Sequence, residues 1–405
     1  MFRPRDRLPY YRRKMLRKLW RLGQAVIKGE VTAYPDFVIA FEASFARWVG
    51  RSYGVSFCNG TSSLEAALFA VGVRPGDEVL TPGYTIHLSL GIIHQAGAKP
   101  VLVDIDSRTL TMDPEDLERK ITPASRAILV VHMWANPNDM RRIMAIAKRH
   151  QLKVVEDCSH AHGSTLDDRK VGSWGDVGCF SLQGSKPIAA GEGGMAVTDA
   201  DFLYHRMMLY GHFGRLDGLI EAGIYPQVRQ TGLGTKRRAH PLGICLASVD
   251  LEYVDRENLL KRQRAKQILE VVSRVPGLLP VQNHPGAERG GFYLGLPVLV
   301  DDSFPNAPTV AQVLKGLHAH GIGAKPYPYG VYHRMAHLLD LAYRLEALSG
   351  PGQPVLPSGF EFPLLPVTEM AQRQTFLLPL FEFLGRDFPK GLSAALHEVM
   401  SGGGG

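Results

Sequence analysis

Three short stretches of the chain carry side chains that could act together on one small molecule. They are NGTSS at residues 59–63, EDCSHAH at residues 156–162 and SLQGSK at residues 181–186. The first has a turn-forming glycine and hydroxyls, the second has carboxylates and imidazoles, and the third has a lysine among small residues. Each adjoins an apolar run of strand length, and loops at strand ends are where α/β sheets bind ligands.

The first stretch has the composition of an anion site. A helix beginning at Gly60 would present unpaired backbone N–H groups and the positive end of its dipole. Gly60 would let a phosphate approach the backbone, and the hydroxyls of Thr61 and Ser62 would add hydrogen-bond donors. A plain helix cap is the alternative. The stretch matches neither the Walker loop nor the GxGxxG dinucleotide motif.

Asp157 follows a buried strand, where a carboxylate can hold a ribose hydroxyl or a cationic ring nitrogen. Together with Cys158, His160 and His162 it could instead bind a metal ion. The two histidines, however, lack the i, i+4 spacing of a helical metal site, and no second ligand cluster is present in the sequence. We therefore expect no metal; an acid that caps the next helix is a further alternative.

Lys186 is the one lysine in the segment SLQGSKPIAAGEGG, which has Glu192 as its one acid. Burial disfavours the ammonium form of lysine and makes a neutral, nucleophilic amine accessible. Such an amine can form a Schiff base with a carbonyl. An anion cradle, an acid at a strand end and a lysine in a glycine-rich turn are together what pyridoxal 5'-phosphate requires, so we predict this cofactor.

The elements that must position these residues follow a regular rhythm. Apolar stretches of strand length alternate with helical patterns up to about residue 200, which predicts an α/β fold with a mainly parallel sheet and helices on both faces. We expect a basic N-terminal helical segment at residues 1–30 and a large cofactor-binding domain at residues 31–260. A small C-terminal α/β domain at residues 261–400 and a flexible tail at residues 401–405 should follow.

The order and separation of these motifs resemble the DegT/DnrJ/StrS family of pyridoxal-phosphate aminotransferases, within the fold-type I (aspartate aminotransferase) superfamily. The resemblance covers about residues 40–200 and returns at TFLLPLF, residues 375–381. It implies a mainly parallel seven-stranded sheet with helices on both faces, plus a smaller C-terminal α/β domain. Its carriers include NGTSSLEAAL, RPGDEVLTPGYT, VVEDCSHAHGS, FSLQGSK and AGEGGMAVT.

The resemblance also implies a role for each motif residue. Lys186 would form the Schiff base and move a proton between substrate and cofactor, and Asp157 would pair with the pyridine nitrogen. His160 stands where the family often has Gln and would contact the phenolic oxygen. The phosphate would be held by Gly60, Thr61, Ser62 and Ser181.

Two positions depart from the family's pattern. Ile86 stands where the family commonly stacks an aromatic side chain on the pyridine ring, so either Ile86 or His87 would cover that ring. The family's phosphate-binding Asn, which comes from the partner subunit, has no counterpart near residue 236. Lys236 could replace it within the homodimer that the resemblance implies; a surface basic patch is the alternative.

The implied reaction moves an amino group from L-glutamate or L-glutamine to a ketone, with a nucleotide-linked keto-sugar as the favoured acceptor. Gln183 is typical of the cyclitol (inosose) and aminobenzoate branches, which are the alternative. Contacts to the acceptor are expected from His87, Trp134, Tyr327, Tyr329 and His333, unless these residues serve only packing or loop structure. A non-catalytic cofactor-binding protein with a regulatory or assembly role is the alternative of another class; a nicotinamide dehydrogenase lacks its glycine motif.

Charge is concentrated at the N-terminus. The chain has 46 Lys and Arg against 39 Asp and Glu, and residues 1–28 hold ten of the cations and one acid. Leu16, Leu19, Trp20, Ala25 and Ile27 partly follow helical spacing, so we predict a surface helix whose apolar stripe packs on the body. The alternative is that this helix binds an anionic membrane surface or a nucleic acid. Of these two partners, we do not expect nucleic acid.

Cysteine usage points to a reducing compartment. The four cysteines are widely spaced without a CxxC pair, which predicts buried free thiols. The longest apolar segments fall short of the ~20 residues that a membrane helix needs, and no secretory apolar region follows the N-terminus. A cytoplasmic protein is expected.

Overall fold

The computed structural model describes residues 7–401 except 33, 218–220, 222, 224, 229–230, 350–355, 357, 383–384 and 386. The predicted flexible tail lies, after residue 401, outside the described residues. The strands are β1 Tyr53–Phe57, β2 Glu78–Pro82, β3 Lys99–Val103, β4 Ser125–Val131, β5 Lys153–Asp157, β6 Thr165–Leu166, β7 Arg169–Lys170, β8 Val177–Ser181, β9 Gly194–Thr198, β10 Leu278–Pro280, β11 Ala287–Glu288, β12 Leu296–Val300, β13 Lys325–Pro326 and β14 Thr375–Leu378.

The α-helices are α1 Arg7–Ile27, α2 Asp36–Val49, α3 Gly60–Ala70, α4 His87–Gln95, α5 Pro114–Arg119, α6 Met140–Arg149, α7 Asp201–Gly211, α8 Pro241–Val272, α9 Val310–Ala319, α10 Leu341–Ser349, α11 Pro366–Gln374 and α12 Phe388–Met400. Short 3-10 turns occupy Met133–Ala135, Phe213–Arg215, Pro226–Val228, Tyr332–Arg334 and Ala336–Leu338.

A seven-stranded sheet with the order β1-β9-β8-β5-β4-β2-β3 forms the centre of the larger part of the molecule. Strand β9 is antiparallel to both of its neighbours, and the other six strands run in one direction. Strands such as SRAILVV in β4 are apolar on both sides, as expected for a sheet covered by helices on both faces. The predicted mainly parallel seven-stranded sheet is confirmed.

Helices cover the two faces of this sheet with separate cores. On one face α3 and α7 pack through Leu68 and Met207 against Phe57 of β1. On the other face α2 and the first half of α8 pack through Phe45 and Ile244. Helices α5 and α6 continue the second layer over β4 and β5.

A smaller antiparallel sheet, β10-β12-β14-β13, forms the C-terminal part together with α9 and α12. Its core also includes Ile268 and Val272 from the second half of α8. Because α8 is continuous from Pro241 to Val272, the two parts of the molecule share this helix across residue 260. A third sheet, β11-β6-β7, is short and antiparallel.

The direction of the strands decides where the sequence motifs meet. Strands β1, β5 and β8 all run in the same direction. Their last residues, Phe57, Asp157 and Ser181, therefore lie on the same side of the sheet, at the carboxyl ends of the strands. The register pairs Asp157 with Cys179, two residues before the end of β8. The loops that follow these three strands are therefore neighbours in space.

Helix α1 is amphipathic in the opposite sense to the prediction. Its cations Lys14, Lys18 and Arg21 face α8, where they contact carboxylates. Several apolar side chains point instead to solvent and are more than half exposed: Met15, Leu16, Leu19, Trp20 and Ile27. The predicted packing of an apolar stripe on the body is therefore wrong for all its members except Ala25, because α8 presents acids at this surface: Asp250, Glu252 and Glu257.

Burial of the thiols agrees with the expectation from the sequence for three of the four cysteines. Cys158, Cys179 and Cys245 are buried, Cys58 is half-buried, and all four are free. None of the helices in the described part of the chain has both the length and the apolar character needed to cross a membrane.

Candidate active site

A cavity of about 220 Å³ lies at the edge of the sheet where β1, β5 and β8 end. The three sequence motifs meet here, because each contributes a wall of the cavity. The residues predicted from the sequence that line it are Gly60, Thr61, Ile86, Asp157, His160, Ser181, Lys186 and Tyr329.

Lys186 reaches the cavity from the glycine-rich hairpin between β8 and β9. Its backbone N–H donates to the carbonyl of Gln183 at 2.8 Å, and the N–H of Gly184 donates to Gly191 across the hairpin at 2.7 Å. Gly191 has φ of +82°, a conformation that favours glycine. Burial lowers the pKa of Lys186 to about 7, while the charge of Asp157 acts in the opposite direction. The amine is thus partly neutral near pH 7.

Adjacent acids at the end of β5 point to opposite sides and differ in role. Asp157 lines the cavity, and its Oδ1 accepts the N–H of Ser159 at 3.0 Å. Glu156 is fully buried behind it and accepts the N–H groups of Gly172, Trp174 and Gly175 at 2.7–2.8 Å. Glu156 therefore anchors the loop between β7 and β8, whereas Asp157 is available to a ligand.

Glu156 also belongs to the one group of three potential metal ligands within 4.8 Å of one another in the described part of the chain, with His132 and Cys158. Both nitrogens of His132 are already used: Nδ1 accepts the N–H of Asn138, and Nε2 lies 3.1 Å from Glu156. Burial would raise the pKa of Glu156, but the hydrogen bonds and charge of His132 and the backbone donors lower it overall. His132 and Glu156 therefore form a buried hydrogen-bonded pair that links the ends of β4 and β5.

The N-terminus of α3 faces the cavity with free backbone donors. The side chain of Asn59 caps the helix by accepting the N–H of Ser62 at 2.8 Å, which leaves the N–H groups of Gly60 and Thr61 without a helical acceptor. A Cβ on Gly60 would lie 2.8 Å from the Cβ of Ser181, so only glycine allows β8 to approach so closely. The N–H groups of this helix end and the hydroxyl of Ser181 are donors that could hold an anion.

The side chain of Ile86 borders the cavity where an aromatic residue was expected from the resemblance. Ile86 is the N-cap of α4 and has extended backbone angles. The neighbouring His87 is exposed and packs instead on the ring of Tyr332, with centroids 5.4 Å apart. Of the two candidates for covering a bound ring, the fold thus places Ile86 at the cavity.

A layer of aromatic side chains forms one side of the cavity. His160 accepts or donates a hydrogen bond with the hydroxyl of Tyr329 at 2.9 Å. Trp134 lies behind both rings, and its Nε1 donates to the hydroxyl of Tyr84 at 3.2 Å. Tyr327 stacks on Tyr84 at 4.8 Å. The wall is a packed layer, of which His160 and Tyr329 form the surface.

Tyr293 is a cavity residue that the sequence did not predict. The Nζ of Lys186 lies 3.3 Å from the centroid of its ring, and the ring of His160 lies 4.6 Å away. Phe292 and Leu294, on either side, have positive φ values of 46° and 67°. This bent backbone turns Tyr293 towards Lys186, although GFYLGLPVLV has the composition of a plain strand.

Several predicted residues lie away from this cavity. The hydroxyl of Ser62 pairs with the thiol of Cys58 at 3.3 Å. Lys236 is exposed on a segment that bridges to His212. His333 is buried with its Nε2 3.0 Å from Glu369. The residues that do not line the cavity of this chain are Ser62, His87, Trp134, Lys236, Tyr327 and His333.

Relatives and solved structures give this geometry a context. The chain is 37% identical over 308 residues to L-glutamine:2-deoxy-scyllo-inosose aminotransferase from Streptoalloteichus tenebrarius, covering 74% of this chain and 72% of that protein. It is 35% identical over 312 residues to GDP-perosamine synthase from Caulobacter vibrioides, covering 76% and 81%.

Among solved structures, DesV of S. venezuelae, crystallised with a ketimine intermediate, superposes with a TM-score of 0.78 at 27% identity and 96% coverage of both chains. Residues 18–351 match the family described as the DegT/DnrJ/EryC1/StrS aminotransferase family. The match takes in α3, β5 and the turn that carries Lys186, which are the elements that build the cavity. On this agreement of sequence and fold, the chain is an aminotransferase that belongs to the DegT/DnrJ/EryC1/StrS family.

Proposed function

We propose that this aminotransferase binds pyridoxal 5'-phosphate in the 220 Å³ cavity and transfers nitrogen from L-glutamine or L-glutamate to a polyhydroxylated ring ketone. The observation that carries the proposal is that the amine of Lys186 and the carboxylate of Asp157 line one cavity with the free N-terminus of α3. These groups match the aldehyde, the ring nitrogen and the phosphate of that cofactor.

The donor set fits this cofactor on the described atoms. Gly60, Thr61 and Ser181 offer N–H and hydroxyl donors to a phosphate. The Nδ1 atom of His160 is buried and has no hydrogen-bond partner among the described residues, as expected in a site built for a polar ligand. Ile86 offers an aliphatic surface for a ring.

When bound, the cofactor supplies an aldehyde that bonds amines and a pyridine ring that takes up the electron pair released at the substrate carbon. Lys186 supplies the amine that holds the aldehyde, and its Nζ accepts and returns a proton once it is displaced. A pKa of about 7 suits both tasks, because the amine is present in both protonation states near neutral pH. Asp157 stabilises a proton on the ring nitrogen.

Two kinds of acceptor are supported. GDP-perosamine synthase is named for a nucleotide-linked sugar, and the Streptoalloteichus relative is named for a cyclitol ketone. Gln183 lines the cavity and favours the cyclitol class by the resemblance described above. The amide donor is L-glutamine in the name of that relative.

We also propose a homodimer in which Lys236 of the partner subunit completes the phosphate site. Lys186 is the only cation among the described residues that line the cavity, and a phosphate dianion calls for more positive charge than one helix terminus provides. Lys236 is exposed and does not line its own cavity, so its ammonium is free to reach a second chain.

The test is spectroscopic and then chemical. The protein loaded with the cofactor should show a visible absorbance band that moves to shorter wavelength on addition of L-glutamine. A panel of inososes and nucleotide-linked keto-sugars should then restore the band for the true acceptor class. Borohydride reduction followed by peptide mass spectrometry should place the cofactor on Lys186. A band that L-glutamine and L-glutamate leave unchanged would instead indicate a non-catalytic binding protein.

A further inference from the structure

His160 has one hydrogen-bonded nitrogen and one orphaned nitrogen. Its Nε2 lies 2.9 Å from the hydroxyl of Tyr329, and its Nδ1 is shut off from solvent without a partner among the described residues. The residue is 7% exposed and lines the cavity, as Tyr329 does. A buried polar atom without a partner is costly, and His160, as a residue of the cavity wall, can gain that partner from a ligand.

The protonation of this pair follows from its surroundings. Burial, then the charge of Lys186 and of His162, hold the pKa of His160 well below its ordinary value, so the imidazole is neutral. Burial, then Tyr293 and Asp157, raise the pKa of Tyr329, so its hydroxyl keeps its proton. A neutral imidazole carries one N–H, which leaves two arrangements of the shared hydrogen bond.

The two arrangements differ in the number of polar atoms left unpaired. If Nε2 of His160 donates to Tyr329, the tyrosine proton has no acceptor among the described residues, and Nδ1 of His160 is an unpaired acceptor. If Tyr329 donates to Nε2, the tyrosine is satisfied and only the Nδ1–H of His160 is unpaired. Each orphaned buried group costs about 1–3 kcal/mol, so the second arrangement is favoured.

We propose that Tyr329 is a positioning residue that holds His160 in its Nδ1–H tautomer and so presents a fixed hydrogen-bond donor to the ring oxygen next to the aldehyde of the bound cofactor. This inference rests on the proposed function. It gives Tyr329 a role other than contact with the acceptor. A donor at that oxygen favours its anionic form and makes the cofactor chromophore lose its proton at lower pH.

The first experiment uses the cofactor-free protein labelled with ¹⁵N-histidine. A long-range ¹H–¹⁵N correlation spectrum, with His160 assigned by loss of its signals in His160→Gln, should show the Nδ1–H tautomer. Tyr329→Phe keeps the ring and removes the hydroxyl, so His160 should shift to a mixture or to the Nε2–H form. Tyr327→Phe is the matched control, because that hydroxyl makes no bond to His160, and it should leave the tautomer unchanged.

The second experiment titrates the absorbance of the loaded protein. Tyr329→Phe should raise the pKa of the chromophore by about 1, and Tyr327→Phe should not. An Nε2–H tautomer in the unmodified protein, or a Tyr329→Phe variant with both readouts unchanged, overturns the inference. A protein that never develops the chromophore defeats the proposed function, whereas the tautomer in the cofactor-free protein still decides the role of Tyr329.

Discussion

The amine of Lys186 lies 3.3 Å from the centre of the Tyr293 ring, so the reactive lysine packs on an aromatic face contributed by a loop more than 100 positions later in the chain. The ring face attracts an ammonium, while burial disfavours it. The two effects oppose each other, and burial dominates because the pKa falls to about 7. Tyr293 therefore limits how far the lysine is deprotonated.

Two substitutions of Tyr293 should distinguish the effect of its aromatic ring on the pKa of Lys186 from the effect of its hydroxyl. Tyr293→Leu removes the aromatic face and should lower the pKa of Lys186 by about 0.5–1, because a cation–π contact of this kind is worth roughly 1 kcal/mol. Tyr293→Phe retains the face and should leave the pKa unchanged. The measurement is the pH dependence of trinitrobenzenesulfonate labelling of the Lys186 peptide in the cofactor-free protein. Equal profiles for the two variants would contradict this account.

The depressed pKa of Lys186 also predicts how stability depends on pH. Between pH 7 and 10.5 the unfolded chain keeps the lysine proton that the folded chain has lost, so the free energy of unfolding gains from rising pH across this window. Lys186→Met should thus stabilise the cofactor-free protein by on the order of 5 kcal/mol below pH 7. The gain should shrink towards pH 10. Urea unfolding of both proteins at pH 6.5 and 9 measures the difference, and a gain that grows with pH would refute the assignment.

The neighbouring acids at the end of β5 should respond differently to substitution. Glu156→Ala removes the acceptor of three backbone N–H groups and of His132, and should destabilise the fold by at least about 3 kcal/mol. Asp157→Asn keeps the oxygen that accepts the N–H of Ser159, so stability should change by less than about 1 kcal/mol. Its kcat should fall by about 100-fold or more. Urea unfolding and transamination rates together test the contrast; comparable losses of stability would count against it.

The attachment of helix α1 to the rest of the molecule should depend mainly on one buried acid of α8. Asp250 is 2% exposed, pairs with Lys14 and Lys18, and accepts the N–H of Ala189 from the hairpin that carries Lys186. Asp250→Ala should cost about 3 kcal/mol, because it leaves buried donors unpaired. Glu252→Ala is the control: its pairs with α1 are exposed, and it should cost less than about 1 kcal/mol. Thermal unfolding would show whether the two variants differ in this order.

The proposed dimer can be tested by mixing defective chains. Lys236→Ala should weaken cofactor binding about tenfold, the loss of roughly 1.4 kcal/mol of charge-assisted contact. The Lys236→Ala and Lys186→Ala variants are then mixed in equal amounts, dissociated and allowed to reassociate at low cofactor concentration. About half of the dimers should be mixed, and each mixed dimer has one intact site, so about one quarter of all sites should be restored. Light scattering gives the mass of the assembly. Activity no greater than the sum of the separate variants would show that Lys236 does not act across the interface.

The convergence of Gly60, Asp157, Ser181 and Lys186 could be predicted from the sequence for a physical reason. Alternating strands and helices force a parallel sheet, and parallel strands end at one edge. Residues immediately after such strands must meet wherever the strands are neighbours. The prediction needed no knowledge of side-chain packing.

Tyr293 and helix α1 could not be predicted by the same argument. Tyr293 reaches the cavity through positive φ values at Phe292 and Leu294, which no local composition marks. The orientation of α1 depends on acids of α8 that are more than 220 positions away in the chain. An amphipathic pattern predicts that the two faces of a helix differ. Which face is buried depends on the side chains of the element against which the helix packs.

The unbroken helix α8 sets a mechanical limit on the molecule. At 32 residues it is about 48 Å long, and its two halves are buried in the cores of the large and small sheets respectively. A hinge between these sheets would have to bend a hydrogen-bonded rod that is clamped at both ends. Any movement of the large sheet relative to the small one is therefore tied to deformation of α8 itself.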